Sequence, residues 1–176
     1  ENPLMWVPWL LMLIFVSAFV ALPVWVALAR RFGKKEVFIA SRIMAILPFL
    51  SFFLVGEGDL LLYAVLVALA GVANGGYTFL YPAIQADVID YDEFLTGKRR
   101  EAQYASLMAI LTKFTSIPSS AIPLGILASL GYVPNVEQNE TVKFALSALY
   151  AFGPASGAIL SLGVFLLYPI NARRHE

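Results

Sequence analysis

Five long apolar runs, separated by short polar punctuation, make up almost the whole chain. The first, 3–29, carries no charged side chain. It exceeds the roughly 20 residues that cross a hydrocarbon core, so it predicts a tilted spanning helix. Trp6 and Trp9 stand near its start, where amphipathic rings favour the membrane interface. Runs at 37–55, 60–86, 101–130 and 143–169 predict four more spans. Pro23, Pro48, Pro82, Pro118, Pro123 and Pro154 lie inside these runs and are expected to bend or interrupt them. Gly71-x-x-x-Gly75 and Gly153-x-x-x-Gly157 would let backbones approach closely. The pattern predicts an all-α membrane protein with five transmembrane helices.

The punctuation is ordered by charge. Arg30, Arg31, Lys34 and Lys35 follow the first run; Lys98, Arg99 and Arg100 follow the third; Arg173 and Arg174 follow the fifth. The alternate turns, at Gly56-Glu57-Gly58-Asp59 and from Gly131 to Thr141, are acidic. Lys and Arg stay in cytoplasmic loops, so the expected topology is N-terminus outside and C-terminus in the cytoplasm, in a plasma (inner) membrane. The stretch from Ala86 to Ser106 concentrates Asp87, Asp90, Asp92, Glu93, Lys98, Arg99, Arg100 and Glu101. It reads as a membrane-surface loop between charged helix ends.

Composition supports the bilayer reading. Of 176 residues, 60% are hydrophobic and 14% charged, against ~45–50% and ~25% in soluble domains. The formal net charge of zero, in scattered clusters, gives no sign of a nucleic-acid partner. There is no cysteine, and the lone His175 is in the tail. Neither a thiolate nor a His-based metal or catalytic site can therefore be assembled. The start at Glu1-Asn2-Pro3 lacks an initiator Met and a basic leader, and reads as a cut inside a longer protein.

Lys113 is the most informative side chain. It stands twelve residues into the fourth run, or roughly 18 Å at 1.5 Å per residue. An unpaired ammonium there costs at least ~2.5–3.5 kcal/mol, so it is expected to face the bundle interior or water. It can be a structural ion pair or line a solute or ion path. No Asp or Glu of this chain lies at matching depth. On the third run Asn74, Thr78, Tyr81 and Gln85 share one helical face, suited to a polyhydroxylated solute or to interhelical hydrogen bonds. Ser106, Lys113, Ser116 and Ser120 follow a similar line on the fourth. Asp87, Asp90, Glu93, Arg99, Arg100 and Glu101 form a candidate cytoplasmic gate, able to pair in one conformation and part in another.

Two strings are set aside. Gly56-Glu57-Gly58-Asp59 matches an intramembrane aspartyl protease motif but lies in a turn without a facing aspartate. Asn139-Glu140-Thr141 is a formal glycosylation sequon. No nucleophile, acid pair or metal cluster is assembled for a membrane enzyme. A fragment that associates with partners without transporting remains an alternative.

Ala86-Asp87-Val88-Ile89-Asp90-Tyr91 with Thr96-Gly97-Lys98-Arg99-Arg100-Glu101-Ala102 resembles the signature loop of the glycoside–pentoside–hexuronide:cation symporters, the melibiose-permease group of the major facilitator superfamily. Pro23-Val24-Trp25 leading to Arg31-Phe32-Gly33-Lys34-Lys35, Gly131-Tyr132-Val133-Pro134-Asn135-Val136-Glu137-Gln138, and Tyr168-Pro169-Ile170 agree in order and spacing. The resemblance implies helices 8–12 of a twelve-helix transporter, a partial C-terminal bundle whose N-terminal half would be its partner. It implies alternating access, moving a sugar, glycoside or hexuronide with Na⁺ or H⁺ and no resident cofactor. A lysolipid solute is the alternative within the same group. It places Lys113 near the cation and sugar sites, and the Asp87–Glu101 region at the cytoplasmic mouth, with membrane lipid around the bundle.

Overall fold

The computed structural model of the protein describes residues 3–56, 58–134 and 136–167. Glu57, Asn135, Tyr168-Pro169-Ile170, the Arg173–Arg174 tail and His175 lie outside the described residues. Among the described residues five α-helices follow in order: α1 Val7–Phe32, α2 Lys34–Ser51, α3 Leu60–Thr96, α4 Glu101–Ser129 and α5 Glu140–Leu166. All five are long and apolar enough to cross a membrane. The chain forms two compact units by its contacts. One holds the described residues up to Ile84 and those from Tyr150 onward; the other is Gln85–Leu149.

In the first unit Gly33 alone separates α1 from α2, with φ of 98° and its N–H bonded to the Ala29 carbonyl. A side chain is strained at that φ, so glycine turns the corner in one residue. The basic stretch Arg30–Lys35 is therefore two helix ends and not a loop. Ala21, Trp25, Val37, Phe38, Leu80 and Ile84 form a buried cluster. Trp25 donates its indole N–H to the Val72 carbonyl at 2.8 Å, and Phe38 stacks on Phe165 of α5 at 3.9 Å. Phe52 meets Tyr63 and Tyr150, and Phe53 meets Phe152, gathering rings beyond the end of α2.

The two small-residue pairs differ. A Cβ at Gly75 would stand 2.6 Å from the Ala18 carbonyl oxygen, and one at Gly71 would collide with Ile14 and Ser17. That pair lets α3 lie against the α1 backbone. Gly153 and Gly157 have open space where a Cβ would go, so they make no such contact among the described residues.

The prolines do not interrupt the helices. Pro23, Pro48, Pro82, Pro118, Pro123 and Pro154 all lie inside continuous α-helix. Each removes one backbone donor, which a membrane helix accommodates by local adjustment and neighbouring hydroxyls.

In the second unit α3 runs on to Thr96, ten residues past the expected end at 86. The charged stretch is helix projecting from the apolar run, followed by only the 97–100 connector. Gly97 closes the end with its N–H on the Glu93 carbonyl at 2.8 Å. The α4–α5 turn is equally built. Tyr132 N–H reaches Leu127 O and Gly131 N–H reaches Ala128 O, the paired bonds of a Schellman end. Gln138 donates to the carbonyls of Val133 and Val136 at 2.6 and 2.7 Å. Asn139 Oδ1 then accepts the Val142 N–H at 2.8 Å, capping α5 three residues before the expected start at 143.

Candidate functional site

The polar face of α3 divides. Asn74 and Thr78 are brought together at a groove of about 420 Å³ against α1, whose lining is otherwise Ile14, Phe15, Ala18, Phe19, Leu22 and Gly75. The groove is apolar along α1 and polar only at those two α3 side chains. Tyr81 is half-buried and its ring lies 5.8 Å from that of Tyr77. Gln85, half-buried, belongs to the second unit.

Lys113 sits on an exposed face of α4 and makes no hydrogen bond or ion pair among the described residues. Its neighbours on the polar line are bonded to their own helix. Ser116 Oγ donates to Lys113 O at 2.9 Å, Ser120 Oγ to Ser116 O at 2.7 Å and Ser106 Oγ to Ala102 O at 2.8 Å. Back-bonding hides the hydroxyl protons and leaves the ammonium as the strong donor of this face.

In the charged corner two arginines meet three acids. Arg100 grips Asp92 side-on, Nε to Oδ2 at 2.9 Å and Nη2 to Oδ1 at 2.5 Å. Asp92, outside the expected gate set, takes its strongest contact. Arg99 bridges Glu93 and Glu101 at 3.2 Å each. The hydrogen bond and charge of Glu101, then the charge of Glu93, hold the Arg99 guanidinium above its usual range. Asp90 is exposed and adds only its field; Asp87 is half-buried. Acids in the last turns of a helix oppose its dipole, and the two arginines offset that cost. Sequence spacing pointed to the region; which acid met which arginine depended on where α3 ended.

One buried charge carries no role in the sequence reading. Arg42, in the middle of α2, is only 7% exposed. Its guanidinium lies over the Tyr77 ring at 4.2 Å and near Phe38 at 5.8 Å. Its Nε and Nη2 are buried without a hydrogen-bond partner among the described residues. The available signal was a solitary charge inside the run 37–55.

The sequence profile of a family described as MFS/sugar transport protein matches residues 4–172. The chain is 27% identical over 161 residues to a glucuronide carrier protein homolog of Escherichia coli (strain K12), covering 92% of this chain and 35% of that protein. It is 34% identical over 172 residues to the sodium-dependent lysophosphatidylcholine symporter 1 of Homo sapiens, covering 95% and 31%. A Salmonella typhimurium protein named for sulfoquinovose import is 29% identical over 152 residues, covering 84% and 31%. The chain thus spans about a third of the length of these curated relatives.

Proposed function

The chain belongs to the MFS/sugar transport protein family, and from that premise we propose that it supplies helices 8–12 of a cation-coupled secondary transporter. The family is one of transport proteins and not of enzymes. The solute is a sugar, glycoside or hexuronide, moved by alternating access with Na⁺ or H⁺ across a plasma membrane. The C-terminus is cytoplasmic, and an N-terminal half completes the cavity.

The observation that carries this reading is Lys113. An ammonium twelve residues into a spanning helix, exposed and without a partner among the described residues, calls for a water-filled solute route or an acid supplied by the N-terminal half. Asn74 and Thr78 add hydrogen-bonding groups on an otherwise apolar groove. Tyr81, Gln85 and Ser116 are further proposed contributors to solute and cation passage. The corner at Asp87, Asp90, Glu93, Arg99, Arg100 and Glu101, with Asp92, closes the cytoplasmic mouth, and its ion pairs exchange as the mouth opens.

A second reading is transport of a lysolipid. It draws on the apolar wall of the same groove, where Ile14, Phe15, Phe19 and Leu22 suit an acyl chain. A relative named as a lysophosphatidylcholine symporter agrees with it.

Lys113→Ala in the full-length protein should abolish cation-coupled uptake into proteoliposomes while leaving expression intact. Normal coupled uptake by that variant defeats the reading. Parallel assays with a glycoside and a lysophospholipid separate the two solute classes.

A further inference from the structure

Arg42 follows Lys34 by eight residues, which places it about 12 Å inside α2 and near the middle of the span. A charge at that depth needs compensation. The apolar runs 3–29, 37–55 and 60–86 contain no Asp or Glu, so no acid at this depth on α1, α2 or α3 can supply it. What the first unit offers is two ring faces, Tyr77 and Phe38. Ring faces attract the cation but accept little from its N–H groups.

Which nitrogens lack acceptors is informative. Nε and Nη2 form the side-on edge of a guanidinium, the edge with which Arg100 takes both oxygens of Asp92. In Arg42 that edge is buried without an acceptor among the described residues. Its geometry fits two oxygens of one carboxylate, sulfonate or phosphate. Tyr77 joins the edge to the polar face of α3. Its ring stacks on the guanidinium, the residue is 36% exposed, and Tyr81 lies 5.8 Å away.

We propose that Arg42 binds the acidic group of the transported solute, so that acidic solutes such as hexuronides are preferred over neutral glycosides. This deepens, and rests on, the transport reading above. Turning of the Tyr77 ring uncovers the guanidinium edge, and the acid docks there while the rest of the solute meets Asn74 and Thr78.

The test uses the full-length protein and two matched pairs of solutes. These are methyl glucuronide with methyl glucoside, and a lysophospholipid with the monoacylglycerol of the same chain. Binding is measured by calorimetry for wild type, Arg42→Lys and Arg42→Gln. Wild type should favour the acidic member of one pair. Arg42→Gln should weaken that member roughly ten- to hundredfold, the scale of a charge-assisted fork, and leave the neutral member unchanged. Arg42→Lys keeps the charge without the fork and should fall between. Equal loss for both members, as for a charge that only holds helices together, overturns the proposal; so does unchanged binding. If Arg42→Gln does not fold, Arg42→Lys decides by the same comparison. Wild type that binds neither pair removes the transport reading itself, a different failure from unaltered discrimination in the variants.

Discussion

Two adjacent arginines in the 97–100 connector differ in what they contribute. Arg100 meets both oxygens of Asp92, and the Asp92 side chain is only 16% exposed. Arg99 meets one oxygen on each of two glutamates, all well exposed. Glu101 and Glu93 hold its guanidinium above the usual range, and like any arginine it stays charged at every pH a cell meets. A double-mutant cycle on thermal unfolding, using Arg100→Gln and Asp92→Asn, should give a coupling of about 1 kcal/mol. The Arg99→Gln and Glu93→Gln cycle should give distinctly less, since exposed single contacts are screened. Equal couplings would mean that fork geometry adds nothing. At this scale sequence and structure part at Arg42. Lys113 was legible because it is the sole charge deep in a long run. Arg42 is equally solitary within the run 37–55, but it stands nearer the start of its run, and no other polar residue pattern marked it. Only the packing of Tyr77 and Phe38 shows that its guanidinium is buried.

At the scale of elements, helix existence was readable from apolar length and helix ends were not. Charged residues after Gln85 looked like a loop, yet charged side chains are solvated as well on a helix extended from an existing one, and α3 continues until Gly97 ends it. Proline positions were legible, but their effect was not, because neighbouring groups in a bundle satisfy what one proline frees. Asn139 shows the same limit. As a string it is a sequon; in the fold it is the cap of α5. Two substitutions that both destroy the sequon separate the roles. Asn139→Ala should lower stability by about 1 kcal/mol, read as a drop in melting temperature. Thr141→Ala should leave it nearly unchanged. Matching losses in the two variants would take the cap out of the account.

At the scale of the whole molecule, the quantity to settle is which side of the membrane each corner faces. The proposal puts the Arg30–Lys35 and 97–100 corners in the cytoplasm, because four and three basic residues gather there while the alternate turns are acidic. The gate proposal requires the 97–100 connector on the cytoplasmic side and the acidic turn after α4 on the other. The chain has no cysteine, so single cysteines introduced into it report without background from this segment. Lys98→Cys and Val133→Cys, both at exposed positions, sample the two corners. In intact cells expressing the full-length protein, a membrane-impermeant maleimide should label Val133→Cys and spare Lys98→Cys. After permeabilisation both should label. Labelling of Lys98→Cys in intact cells would invert the topology, and the Arg100–Asp92 fork would then guard the outer mouth in place of the inner one.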